Sequence, residues 1–389
     1  MKKWVWLFVM ALVLFTISAC SDSSSGEGDE IIIGGIFSAS GPAAPLGKGE
    51  MDTVKMLVDK VNEDGGIDGK KIKLISYDDK SDQNEAVLSM KKLIEQEKVH
   101  AVIGGTISGN TLAMIPLAEK SEIPFISLAA SKQIHNPDDK SSRKWVFKTA
   151  QGDDVVIPKV LQYLKDEGLT KIAWLNVANA YGTSGHTEFA AMAKEFGIEA
   201  VVEEEFEATV TDAKAMLTRV KKEKPQAVVV WGTAQESAVI TKNIRQIGID
   251  VPIINSHGIG TKQFIELAGA EAEGIIFPIG RLLVADQLSD DDKQKEKLLT
   301  YQKDYEAEFN APPSTFGGHS WDAFYLLLEA IKKANGTDPE KVRDALEKDT
   351  GGFVGISGVF NINEKDHNGL SKDSLVMVKI KDGGWVINE

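Results

Sequence analysis

The chain has 389 residues, 42% of them hydrophobic, with a single cysteine and a formal net charge of -14. That length exceeds what one hydrophobic core usually serves, so two lobes are expected, and one cysteine excludes a disulfide framework, leaving packing to supply stability. The acidic balance, with no arginine-rich stretch to offset it, excludes nucleic acid as a partner.

In chain order, Lys2 and Lys3 come first, ahead of an apolar run from Trp4 to Ile17, after which Ser18 and Ala19 lead into Cys20. Charged, hydrophobic and small residues in that order make an export signal, too short for a comfortable membrane span. The cysteine after two small residues is similar to the lipobox of bacterial lipoproteins, in which the thiol is acylated and becomes the first mature residue. An ordinary secretory signal with an incidental cysteine is the alternative. On the lipoprotein reading residues 1–19 are removed, the charge moves from -14 to -16, and Cys20 is a membrane tether. Residues 20–30 contain no apolar side chain beyond that cysteine and read as a flexible linker.

From Ile31 short β-branched runs alternate with amphipathic helical stretches. The runs are Ile31–Ile33, Ile72–Tyr77, Val99–Ile103, Ile123–Ser127, Ile172–Val177, Ala227–Trp231 and Val251–Ile254. Met51, Val54, Val58 and Val61 recur at helical spacing, and Gly65-Gly66 stops that helix. Asp82 followed by Glu85 predicts a capping box for the next. A stretch from His100 and another from Gln226 both run strand, Gly-Thr turn, helix, then a short strand containing proline, an echo consistent with two lobes. Asp290 to Asp349 is helical, and the chain closes on strands Leu375–Ile380 and Gly384–Asn388 either side of an Asp-Gly turn. Strand and helix alternating this way predict an α/β protein with doubly wound, mostly parallel sheets.

The enzyme readings fail on spacing. The six histidines include no pair at i,i+4 and no thiol is free, so no metal site is expected. Gly41 to Lys48 is one residue too long for a phosphate loop, and Gly104 to Gly109 lacks dinucleotide spacing. No Gly-x-Ser-x-Gly elbow exists. Asp78 and Asp79 face opposite sides of any strand, so a solvated turn is expected there rather than paired acid/base work. Neither catalysis nor a cofactor is implied.

What remains is a set of strand-to-helix turns rich in Gly, Ser and Thr: Ser38–Pro42, Thr106–Thr111 and Ser127–Ser131. In an open α/β sheet such turns share the carboxyl edge, where ligands bind. Free N–H groups at helix starts, with the hydroxyls of Ser108, Thr111 and Ser131, would attract a carboxylate.

At this point the chain resembles a known family. Ile33–Pro42, Tyr77-Asp78-Asp79, Val102-Ile103-Gly104 with Ser108, Ile123–Ser127, Ala180-Tyr181-Gly182, and Phe360 with Asp366–Gly369 occur in the matching order of the binding proteins of branched-chain amino acid ABC importers. The resemblance implies the two-lobed type I periplasmic-binding-protein fold, each lobe a doubly wound mostly parallel sheet, with three hinge crossings. It places residues 31–150 plus 279–355 in lobe one and 151–278 plus 356–389 in lobe two. It implies that Ser108, Gly109, Ala129, Ala130 and Ser131 receive a ligand carboxylate, and that Tyr181 and Trp231 or Thr233 form an aromatic wall on lobe two. The implied partners are a small carboxylate-bearing molecule, the ABC permease and ATPase, and a membrane reached through the lipid on Cys20.

One departure stands out. Where the amino-acid binders place an acid for the ammonium, Asn255–Gly260 has none, and His257 is left to hydrogen-bond a ligand or cap the helix beginning near Thr261. An uncompensated ammonium in a closed cleft costs several kcal/mol. Three readings therefore stand: an extracytoplasmic lipid-anchored receptor for a branched-chain or related amino acid, a receptor for an aromatic or keto acid without an amine, or a ligand-sensing module for a membrane signalling partner.

Overall fold

The computed structural model describes residues 30–137 and 142–388; the export signal and Cys20 lie outside them. The first sheet contains β1 (Ile31–Phe37), β2 (Ile72–Asp78), β3 (Ala101–Gly104), β4 (Phe125–Ser127) and β5 (Val146–Lys148), all parallel, in the order β2-β1-β3-β4-β5. Helices α1 (Ala44–Glu63), α2 (Gln83–Glu95) and α3 (Ser108–Ser121) make the crossovers. Along α1 the buried Leu46, Thr53, Val54, Leu57 and Val58 form one stripe facing the sheet. The helix ends where predicted, since Gly65 and Gly66 take φ of +102° and +82°. Asp82 does cap α2, accepting from the N–H groups of Asn84 and Glu85. The reciprocal half of the expected box is not formed; the Glu85 carboxylate points instead toward Lys80, 3.9 Å away.

The second lobe carries α4 (Asp153–Asp166), β6 (Lys171–Val177), α5 (Ala180–Phe196), β7 (Glu199–Phe206), α6 (Lys214–Lys222), β8 (Ala227–Trp231), α7 (Ala234–Gln246), β9 (Ile253–Asn255), α8 (Lys262–Ala268) and β10 (Ile276–Gly280). Its sheet is completed from far along the chain by β13 (Leu375–Lys381) and β14 (Gly384–Ile387), giving the order β14-β13-β10-β9-β8-β6-β7. The last two strands are antiparallel, joined by Asp382-Gly383 with φ of +50° and +71°, the primed-turn geometry a tight hairpin requires. Between the sheets in sequence come α9 (Lys295–Phe309), α10 (Thr315–Ala334), α11 (Pro339–Lys348) and a ribbon of β11 (Phe353–Val354) and β12 (Val359–Phe360).

Each lobe has its own core. Val54, Ile103, Phe147, Phe324 and Leu346 meet on one face of the first sheet, while Trp174, Val229, Ile254 and Phe277 centre the second lobe. The chain passes from the first core to the second at residues 149–152, leaves the second core after Val284, and returns to it after Leu370. Two boundaries therefore differ from expectation. Ile279 and Gly280 remain in the second sheet, because β10 runs to Gly280. Residues 356–370 belong with the first core, because Phe360, Ile362 and Leu370 are buried there and the Asp322 carboxylate on α10 accepts from the N–H groups of Ile356 and Ser357 at 2.5 and 2.7 Å. No helix among the described residues is long and apolar enough to cross a membrane.

Candidate functional site

The parallel strands of both sheets deliver their carboxyl ends to one cavity of about 270 Å³. From the first lobe come Pro42, Ala43 and Leu46 after β1, Thr106 to Gly109 after β3, and Leu128 to Ala130 after β4. From the second come Asn179 to Tyr181 after β6, Thr233, Gln235 and Glu236 after β8, and His257-Gly258 after β9. Phe316 and His319 of α10 supply part of the wall. Close backbone approach makes this possible: a Cβ at Gly104, where φ is +143°, would sit 2.0 Å from the Ile36 carbonyl oxygen.

The polar groups are arranged asymmetrically. Helix α3 starts at Ser108 behind Ile107, which offers no capping side chain, so its first N–H groups and positive dipole end face the cavity. Opposite, among the described residues, Glu236 is the one carboxylate on the cavity wall, and no lysine or arginine lines it. Glu236 is only 4% exposed. Its Oε1 accepts from the Thr233 N–H at 2.6 Å and the Thr233 hydroxyl at 2.9 Å, a capping box that fixes the side chain at the start of α7. Two neutral histidines stand nearby. Burial pushes both His257 and His319 down to about 3, with the Lys148 ammonium acting in the same direction. His319 Nδ1 meets the Ser357 hydroxyl at 2.8 Å, and His257 Nδ1 lies 3.4 Å from the Tyr181 hydroxyl, whose own pKa burial drives well up.

A second layer supports the wall. The Thr106 hydroxyl donates to the fully buried Glu50 at 2.5 Å and accepts from the Ser38 N–H at 2.9 Å. Burial raises the Glu50 carboxyl to about 8, outweighing the Thr106 hydrogen bond that lowers it. Asp79 departs from the solvated turn expected of it. Wholly buried, it accepts from the Ser38 hydroxyl, the Ser81 N–H and the Asn110 amide, stitching three of the site loops together. Asp78 does sit at the surface, accepting from the Ser40 hydroxyl and N–H.

Of the residues singled out in the sequence, Ser108, Gly109, Ala129, Ala130, Tyr181 and His257 line the cavity, as do Leu46 and Thr233. Three others do not. Trp231 is fully buried in the second core, because β8 is a central strand covered on both faces. Its ring stacks on Trp174 at 5.5 Å and lies under Gly185, where a Cβ would meet Nε1 at 2.1 Å. The Thr111 hydroxyl turns back to the Gly105 carbonyl. Ser131 sits behind the wall, its N–H donating to the Ser108 hydroxyl at 3.3 Å and its own hydroxyl to Ser184 at 2.9 Å. The sequence reading overlooked Glu236, although Thr233-x-x-Glu236 directly after the Gly-Thr turn is a legible capping box. No cluster able to hold a metal exists among the described residues.

The match to known proteins spans nearly the whole chain. It is 26% identical over 345 residues to a leucine-, isoleucine-, valine-, threonine- and alanine-binding protein of Pseudomonas aeruginosa, covering 88% of each. An extracellular ligand-binding receptor from Rhodopseudomonas palustris superposes with a TM-score of 0.86 at 28% identity, over 92% of this chain and 99% of that one. The branched-chain amino acid transporter substrate-binding protein LivJ of Streptococcus pneumoniae, solved with isoleucine, gives 0.81 at 29% identity over 92% and 97%. With residues 30–384 matching the model described as periplasmic binding protein, the chain belongs to that family, whose members are two-lobed solute receptors and not enzymes.

Proposed function

We propose that this chain is the extracytoplasmic receptor of an ABC importer, tethered through a lipid on Cys20, and that it binds a branched-chain or related aliphatic amino acid between its lobes. One observation carries the ligand class: among the described residues the cavity has an uncapped helix start on one wall, a single carboxylate on the other, and no basic side chain. A zwitterion matches that arrangement end for end. Its carboxylate takes the N–H groups of α3 with the Ser108 hydroxyl, and its ammonium takes Glu236. Leu46, Leu128 and Phe316 receive the aliphatic side chain. Glu236 reaches the cavity from the loop after β8, and so meets the need that Asn255–Gly260 leaves open.

An amine-free keto acid is disfavoured by the same charge. It would add an anion to a wall that already holds Glu236, with no cation facing it. His257 and His319, both neutral, then serve as hydrogen-bonding groups and not as counter-charges. Closure on a ligand that touches both lobes shifts the open–closed equilibrium toward the form a permease receives. Calorimetry with L-leucine, L-isoleucine, L-valine and 4-methyl-2-oxopentanoate tests this directly. An amino acid is expected to bind in the micromolar range, about -8 kcal/mol, and the keto acid at least tenfold more weakly. The reverse order overturns the assignment. For the tether, Cys20→Ser is expected to move the protein from the membrane fraction to the soluble fraction and to abolish labelling by a fatty acid.

A further inference from the structure

Three consecutive residues of the loop after β4 are each gripped from outside the cavity. The Ala130 carbonyl accepts from the Lys148 ammonium at 2.6 Å. The Ser131 hydroxyl donates to the Ser184 hydroxyl at 2.9 Å. The Lys132 ammonium lies 3.2 Å from the Glu188 carboxylate. Ser184 and Glu188 stand one turn apart on α5, so a single face of a second-lobe helix holds two adjacent residues of a first-lobe loop. Both contacts are sheltered: Ser131 and Ser184 are 1% and 3% exposed, and the Lys132 and Glu188 side chains 15% and 11%. On the cavity side the same loop touches the site, because the Ser131 N–H donates to the Ser108 hydroxyl.

We infer that Ser131-Lys132 and the Ser184/Glu188 face of α5 form an interlobe latch, in which Ser131 positions the carboxylate-binding loop and fastens the closed cleft rather than touching the ligand. Fastening and binding are thereby linked: ligand seated against Ser108 and Ala130 orders the loop that carries the latch, and the latch in turn raises the fraction of binding-competent protein. Apparent affinity scales with that fraction. Breaking the latch leaves the Ser184 hydroxyl buried without the bond from Ser131, while the Ser131 hydroxyl keeps the Gln133 N–H that it accepts from at 3.3 Å.

This inference rests on the amino-acid reading only for its probe. With L-leucine in calorimetry, Ser131→Ala and Ser184→Ala are each expected to raise Kd about three- to tenfold. The double variant is expected to be no worse than Ser131→Ala alone, because the Ser131–Ser184 bond is removed in all three and the Gln133 N–H loses its acceptor in both variants that lack Ser131. Two results overturn the latch: additive losses, or a loss with Ser131→Ala and none with Ser184→Ala, which is the pattern of a direct ligand contact. Should the parent not bind leucine, the ligand assignment fails and the latch is read without ligand. Small-angle scattering of the ligand-free protein is then expected to show Ser184→Ala more extended than the parent, and an unchanged radius of gyration refutes the latch. If Ser184→Ala does not fold, Glu188→Gln carries the same comparisons.

Discussion

Glu236→Gln isolates charge from shape. Glutamine retains an oxygen for the Thr233 N–H, and the backbone N–H of residue 236 that the Thr233 side chain accepts from is untouched, so the box that starts α7 is kept. The fold is therefore expected to lose no more than about 1 kcal/mol, the usual weight of a helix cap. Binding is another matter. At 4 Å and an effective dielectric of 20, an ammonium and a carboxylate attract by about 4 kcal/mol, and removing one partner of a sheltered pair costs about 2–5 kcal/mol. With Glu236 only 4% exposed, the variant is expected to bind L-leucine about 30-fold to 5,000-fold more weakly. Calorimetry gives that ratio, and a thermal melt on the same samples confirms that the fold is intact. The variant should also hold 4-methyl-2-oxopentanoate better than the parent does, because the repelling charge is gone. Leucine affinity equal to the parent's, in a protein that melts normally, refutes the role of Glu236 and with it the zwitterion argument.

Glu50 predicts a pH dependence. Its folded pKa of about 8 lies above the ordinary 4.5, so between these values the fold holds a proton that the unfolded chain has released. Stability from this group is thus complete below pH 4.5 and declines as pH rises toward 8, by at most about 1.4 kcal/mol per unit; Glu50→Gln should flatten that slope in denaturant titrations from pH 5 to 8. Asp79→Ala strands the Ser38 hydroxyl and the Asn110 amide in a buried setting and should cost about 2–4 kcal/mol, read as a lowered urea midpoint. Trp231→Phe removes a buried Nε1 that has no hydrogen-bond partner, and should change leucine affinity less than about twofold, since the ring lies outside the cavity; a loss comparable to that of Glu236→Gln would place Trp231 at the ligand.

Much of the architecture can be read along the chain because apolar runs and helical stripes alternate cleanly. Ile172–Val177 and Ala227–Trp231 are strands covered on both faces, and their hydrophobicity, broken only at Asn176, says so. The strands that escaped notice lack that mark. β7 (EAVVEEEF) is an edge strand with glutamates facing water, β5 has three residues, and β10 is interrupted by Pro278. The site divides the same way. Backbone donors at strand-to-helix turns follow from topology, which places Ser108 and Ala129 beforehand. Where a side chain points does not. Trp231 ends an apolar run beside a glycine, as a cleft residue would, yet its ring fills the space that Gly185 leaves beneath α5. Glu236 was visible as a cap, but that its carboxylate also faces a cavity depends on how two lobes meet.

The closing hairpin gives the molecule a late vulnerability. β10 finds its outer neighbour only in β13, almost a hundred residues further on, and neither β13 nor β14 contributes to the cavity wall. A chain cut short before Leu375 would keep every cavity-lining residue while leaving the amides and carbonyls along β10 open to pairing with another molecule. Such a truncate should be synthesised complete in its chemistry and still be lost to self-association, so that the tail acts as a safeguard on solubility for a receptor whose working parts are finished by His319.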